Sequence, residues 1–188
     1  SSDTFIATRA MSEYLQTLAG AGADLFELLV SDVFVPLGLG PGAHTSLRTS
    51  ANAWRGETFG GYGLWLIADD LAKLTRLLNV DDGQIAGAQV LSPAALDAAM
   101  QRDPNDRGVL TTASTSFMYN TGFWALEFTQ AQGFACDFWV PFMSGYGGIT
   151  VAMMPSGATY WYVSDNSEYD WQDVIATSEA SVASSCTP

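Results

Sequence analysis

Apolar residues recur at helical steps from Phe5 to Leu18 (Phe5, Ile6, Met11, Leu15, Leu18), with Asp3 or Thr4 placed to cap the first turn and Gly20 to end it. The same period returns from Asp24 to Phe34, where Leu25, Phe26, Leu28, Leu29 and Val33 form one face, and Pro36 followed by Gly38 predicts the stop. Residues 38–63 are glycine-rich with few periodic apolar positions and read as loop. A third helix is predicted over Ile67–Leu78, and Ser92-Pro93 supplies the N-cap and first position of a fourth that runs to Met100. After residue 115 the period shortens. β-Branched and aromatic runs at 117–128, 134–142, 147–154 and 158–164 are separated by Gln132-Gly133, a glycine cluster and Pro155-Ser156-Gly157, the pattern of successive antiparallel strands. From about Tyr169 to Val182 an acidic start and the apolar residues Trp171, Val174, Ile175 and Val182 predict a last helix across the sheet. The order is α+β: helices over 5–115, strands over 117–164 and a closing helix over 168–183.

Composition narrows the partners. With 188 residues, 48% of them apolar, the chain can bury a core. Its 20 acidic against 7 basic residues give a net charge of −13, which repels phosphate backbones and anionic membrane surfaces, so no nucleic-acid partner is expected. No apolar run reaches the roughly 18 residues of a bilayer span. Cys136 and Cys186 stand fifty residues apart without a histidine beside them, which argues against a zinc site. A disulfide tying the tail to the sheet and two separate buried thiols both fit that pair. The single histidine, His44, sits in the glycine-rich loop and reads as a surface residue; no metal and no cofactor is expected.

The densest chemical signal is Phe142-Met143-Ser144-Gly145-Tyr146-Gly147-Gly148, directly before the apolar run Ile149-Thr150-Val151-Ala152-Met153-Met154. Glycines beside a strand let a ligand approach the backbone and leave N–H groups free to meet a developing negative charge. Met143-Ser144-Gly145 resembles the third active-site motif of serine β-lactamases and penicillin-binding proteins, in which Lys or His, then Ser, Thr or Gly, then Gly opens the substrate strand. Other segments resemble class C β-lactamases and the related esterases and D-aminopeptidases in the same order. They are Ser1-Ser2-Asp3-Thr4-Phe5 after the second-motif Tyr, Val33-Phe34-Val35-Pro36-Leu37-Gly38-Leu39, Gly63 to Ala72, Val90-Leu91-Ser92-Pro93, Gly122-Phe123-Trp124, and Val163-Ser164-Asp165-Asn166.

That resemblance covers nearly all of this chain but only the later half of the family's fold, an antiparallel sheet flanked by helices in the β-lactamase/transpeptidase manner. It implies a serine hydrolase that cleaves a small-molecule ester or amide through an acyl-enzyme, secreted or periplasmic. Tyr146 would donate its backbone N–H to the oxyanion, Gly145 would permit close approach, and Ser144 and Ser2 would bind substrate. Ser144 as a strand-turn cap and Ser2 as a helix cap are the plainer alternatives. The family's nucleophile motif, Ser-x-x-Lys, is missing: Lys73 is the only lysine, and Asp70 stands three places before it. A complementary N-terminal segment is therefore expected to supply the nucleophile and to cover apolar surface that would otherwise cost roughly 25 cal/mol per Å². Met143 replaces the family's cation, which disfavours carboxylate-bearing β-lactams and favours a neutral ester or amide. Trp54, Trp65, Trp124, Trp139 and Trp161 read as core or as the lining of an apolar pocket. A non-catalytic binding protein and a hydrolase that uses Ser1 as an N-terminal nucleophile are the competing readings.

Overall fold

The computed structural model describes residues 2–49, 56–111 and 116–186. The chain divides into two compact units, Ser1–Leu74 and Thr75–Pro188, and together they make a mixed α+β fold with antiparallel sheet flanked by helices.

In the first unit α1 (Ser2–Ala19) is long and only half-buries a narrow strip, leaving Ile6, Met11, Tyr14 and Leu18 more than half exposed. Helix α2 (Leu25–Leu29) is capped by Asp24, whose side chain accepts from the Glu27 N–H at 3.0 Å. The helical path does not stop before Pro36 as the sequence suggests. It widens into a π turn (Val30–Phe34), in which the Val35 N–H reaches the Val30 carbonyl, and then closes with α3 (Val35–Leu37). The wider turn admits a proline that brings no N–H and would crowd the carbonyl four residues back. Gly38, left-handed at φ 72°, ends it. Phe26, Val33 and Phe34 form the core here, while Leu28 is 40% exposed, so the inward face is narrower than the apolar pattern implies.

The glycine-rich loop carries a short 3-10 turn (Pro41–His44) and two isolated bridges, Ser46 with Leu64 and Arg48 with Thr58. Arg48 grips Asp24 with both terminal nitrogens at 2.7 and 3.0 Å. Asp70, 1% exposed near the start of α4 (Ala68–Asn79), accepts from the Gly40 N–H at 2.6 Å and the Ile67 N–H at 3.2 Å, tying the loop to the helix.

The second unit begins within α4. A tight hairpin of β1 (Gln84–Ile85) and β2 (Ala88–Gln89) follows, which the sequence reading missed because each strand has only two residues. Helix α5 (Pro93–Ala99) has Ser92 as its N-cap, as read from the sequence. A six-stranded antiparallel sheet runs in strict chain order: β3 (Val109–Leu110), β4 (Phe117–Asn120), β5 (Phe123–Phe128), β6 (Phe138–Gly145), β7 (Ile149–Met153) and β8 (Thr159–Val163). The run 117–128, read as one strand, is a hairpin. Thr121 (φ 48°) and Gly122 (φ 89°) form its two-residue turn, and both need the left-handed region.

Alternation on β6 sends Phe138, Val140 and Phe142 to one face, where α6 (Trp171–Val182) covers them with Trp171 and Ile175. The Trp171 ring lies 4.7 Å from Phe142 and 6.0 Å from Phe128, centroid to centroid. On the opposite face Met143, Phe123 and Met153 pack with Leu96 and Met100 of the α5 segment. Cys136 and Cys186 form a disulfide that joins the segment after α6 to the entry of β6. Trp124 and Trp139 are half-buried, Trp65 (62%) and Trp161 (41%) are exposed, and Trp54 lies outside the described residues. No helix among the described residues is long and apolar enough to cross a membrane.

Candidate functional site

Strand β6 is longer than its neighbour β5, and the difference makes the site. Pairing with β5 runs from Phe128–Phe138 to Trp124–Phe142 and stops there, because the chain has turned at Thr121-Gly122. Pairing with β7 continues through Met143–Val151 and Ser144–Thr150 to Gly145–Ile149. Residues Met143 to Gly145 thus have a strand on one side only.

Ladder geometry then fixes which groups face the open side. The Ser164 N–H donates to the Gly148 carbonyl at 2.9 Å, so Ile149–Val163 is a non-hydrogen-bonded pair of the β7–β8 ladder. The N–H and C=O of Ile149 therefore turn toward Gly145, and those of Ser144, one residue along, turn away from β7 past the end of β5. Tyr146 follows on the same alternate, its side chain fully exposed and its N–H without a hydrogen-bond partner among the described residues. A run of unsatisfied backbone donors and acceptors on a strand end can receive a carbonyl oxygen or an extended chain.

The turn is held in place by the segment after β8. Gly147 and Gly148 both have positive φ (87° and 81°), and a Cβ on Gly148 would fall 2.3 Å from the Glu168 carbonyl oxygen. The Ser164 hydroxyl accepts from the N–H groups of Asn166 and Glu168, and the Tyr169 hydroxyl donates to the Gly145 carbonyl at 3.1 Å. Tyr169 and Ser164 hold this turn; the sequence reading met Ser164 only within Val163-Ser164-Asp165-Asn166 and gave Tyr169 no role, because neither residue type signals what it reaches.

Of the residues predicted for the site, Ser144, Gly145 and Tyr146 are brought together on this strand end. Ser144 is exposed. Gly145 is extended rather than left-handed, and a Cβ there would crowd Ile149 at 3.3 Å, so its value lies in the narrow strand it leaves. Met143 packs into the α5-side cluster and offers the open side no cation. Ser2 is the first residue of α1 and belongs to the first unit. No protein-family model matches this chain, and no curated protein does.

Proposed function

We propose that this chain is the later part of a β-lactamase-like serine hydrolase, cleaving an ester or amide through an acyl-enzyme. The observation that supports it best is the open strand end at Ser144-Gly145-Tyr146, a backbone edge braced by Tyr169 and Ser164. A serine from an upstream segment attacks the substrate carbonyl, and the oxygen gains negative charge as the tetrahedral intermediate forms. The Tyr146 N–H receives that charge. Collapse expels the alcohol or amine, and water then releases the acid from the serine. Ser144 binds the substrate's polar flank. Within the second unit the edge of β8, where Val163 is 72% exposed, fits a segment that covers it. The disulfide suits an oxidising, secreted or periplasmic setting.

A second reading, a binding protein that uses the same strand end without catalysis, is favoured by Met143, which leaves the site without a cation. Both are tested by exposing the protein, purified from its native source, to a fluorophosphonate and mapping the labelled peptide by mass spectrometry. Label on an upstream serine is the expected result. Label on Ser1 replaces this mechanism with self-processing, and absence of label on the complete protein leaves the binding role.

A further inference from the structure

A cleft of about 540 Å³ opens in the second unit between the end of α4, the end of α5 and the outer part of β6 and β7. Trp139, one of its walls, is five residues from Ser144 along the strand, about 17 Å at the rise of extended chain. The Arg107–Trp139 pair therefore lies well down the strand from the end described above.

Its chemistry is unusual for so acidic a chain. The Arg107 guanidinium lies over the Trp139 ring, 4.8 Å from its centroid, and donates one N–H to the Gln101 carbonyl at 2.7 Å. Among the described residues its remaining N–H groups have no partner and no carboxylate comes within ion-pair distance. Arg102, beside it, is occupied by Asp82 at 2.8 Å and Asp97 at 3.0 Å. Burial pulls Arg107 below its ordinary pKa, against the more distant attraction of Glu127 and Asp103. A guanidinium kept only for structure would gain most from a direct carboxylate, and the chain has 20 acidic residues to choose from.

The second observation is Gln101. Its side chain is 1% exposed, its amide nitrogen reaches the Phe123 carbonyl at 3.3 Å, and its amide oxygen is buried without a donor. Its backbone sits at φ 51°, a costly region for a non-glycine residue. The cleft wall thus holds a fork-shaped cation with the Gln101 amide buried behind it, and Val80 and Pro155 supply accessible apolar surface.

We propose that this cleft binds a small organic carboxylate that has an apolar body. The carboxylate pairs with the Arg107 fork, and the apolar body lies against Val80 and Pro155. This site goes beyond the hydrolase reading and stands without it.

Titration of the chain with 3-phenyllactate tests it, read by calorimetry and by the Trp139 indole N–H resonance, assigned through Trp139→Phe. Saturable binding is expected, comparable for 3-phenylpropionate, and absent for the methyl ester of phenyllactate. Arg107→Met should weaken binding at least tenfold, and Arg107→Lys should fall between. Equal binding of the methyl ester, or no saturation below about 10 mM acid, overturns the proposal. The ester comparison uses the unaltered chain, so it decides even if Arg107→Met does not fold.

Discussion

Two neighbouring glycines in the β6–β7 turn have different reasons to be glycine. Both lie at positive φ, but only Gly148 has backbone packed where a side chain would go; around Gly147 there is open space. Gly147→Ala should cost about 1 kcal/mol, from the left-handed backbone alone. Gly148→Ala must also push the Glu168 carbonyl aside, and is expected to cost more than twice as much in urea denaturation. Equal losses would mean that the 164–169 segment does not brace the turn. A second residue-scale effect depends on pH. The Arg48 hydrogen bonds hold the Asp24 carboxyl below the usual carboxylate range. Its contribution is complete above the unfolded aspartate value of about 4 and is lost as pH falls through the depressed folded value. Acid titration by near-UV circular dichroism should show a shallower loss for Asp24→Asn than for the wild type, from a lower starting stability.

At the scale of elements, the closing helix tests how far a pattern can be read. The sequence placed Trp171, Val174, Ile175 and Val182 on one face; the structure buries Trp171, Ile175 and Glu179, a strict four-residue step, and leaves Val174 43% exposed. Trp171→Ala should cost about 3–5 kcal/mol, whereas Val174→Ala should stay under about 1 kcal/mol in the same denaturation series. Comparable costs would put Val174 in the core. What was legible follows from strong local rules: the Ser92-Pro93 start, the long α1 and α4 periods, and the strands bounded by glycine and proline. What was not legible depended on partners distant in sequence. Glu179 is apolar by position only because its carboxylate accepts from the Ser185 N–H. The 117–128 hairpin was hidden because Thr121 looks like a strand residue until Gly122 makes a left-handed pair with it. The motif at Ser144-Gly145-Tyr146 could be read from its glycines, but its openness comes from where β5 ends. Arg107 gave no signal, since its meaning lies in the carboxylate it lacks.

Across the whole chain, the disulfide is the strongest single constraint. It closes a loop of fifty residues that holds three of the strands and α6. Loop-closure entropy alone puts its contribution at about 4 kcal/mol. Reduction, or Cys136→Ser with Cys186→Ser, should lower the stability of the second unit by that order in chemical denaturation. A change under about 1 kcal/mol would show that the tail is held by packing alone. The net charge of −13 also bears on the whole molecule: self-repulsion keeps it dispersed at neutral pH and makes salt mildly stabilising.

The six strands pair in the order in which they occur in the chain, each with its predecessor. During synthesis no strand has to wait for a distant partner, so the sheet can zip up hairpin by hairpin as the ribosome delivers it. The covalent lock comes last, because Cys186 lies beyond the final strand and helix. An oxidant acting before Cys186 is delivered would find Cys136 without its partner. Refolding of the reduced protein should accordingly recover sheet signal in far-UV circular dichroism before thiol trapping reports closure, and a sheet that waited for the disulfide would reverse that order.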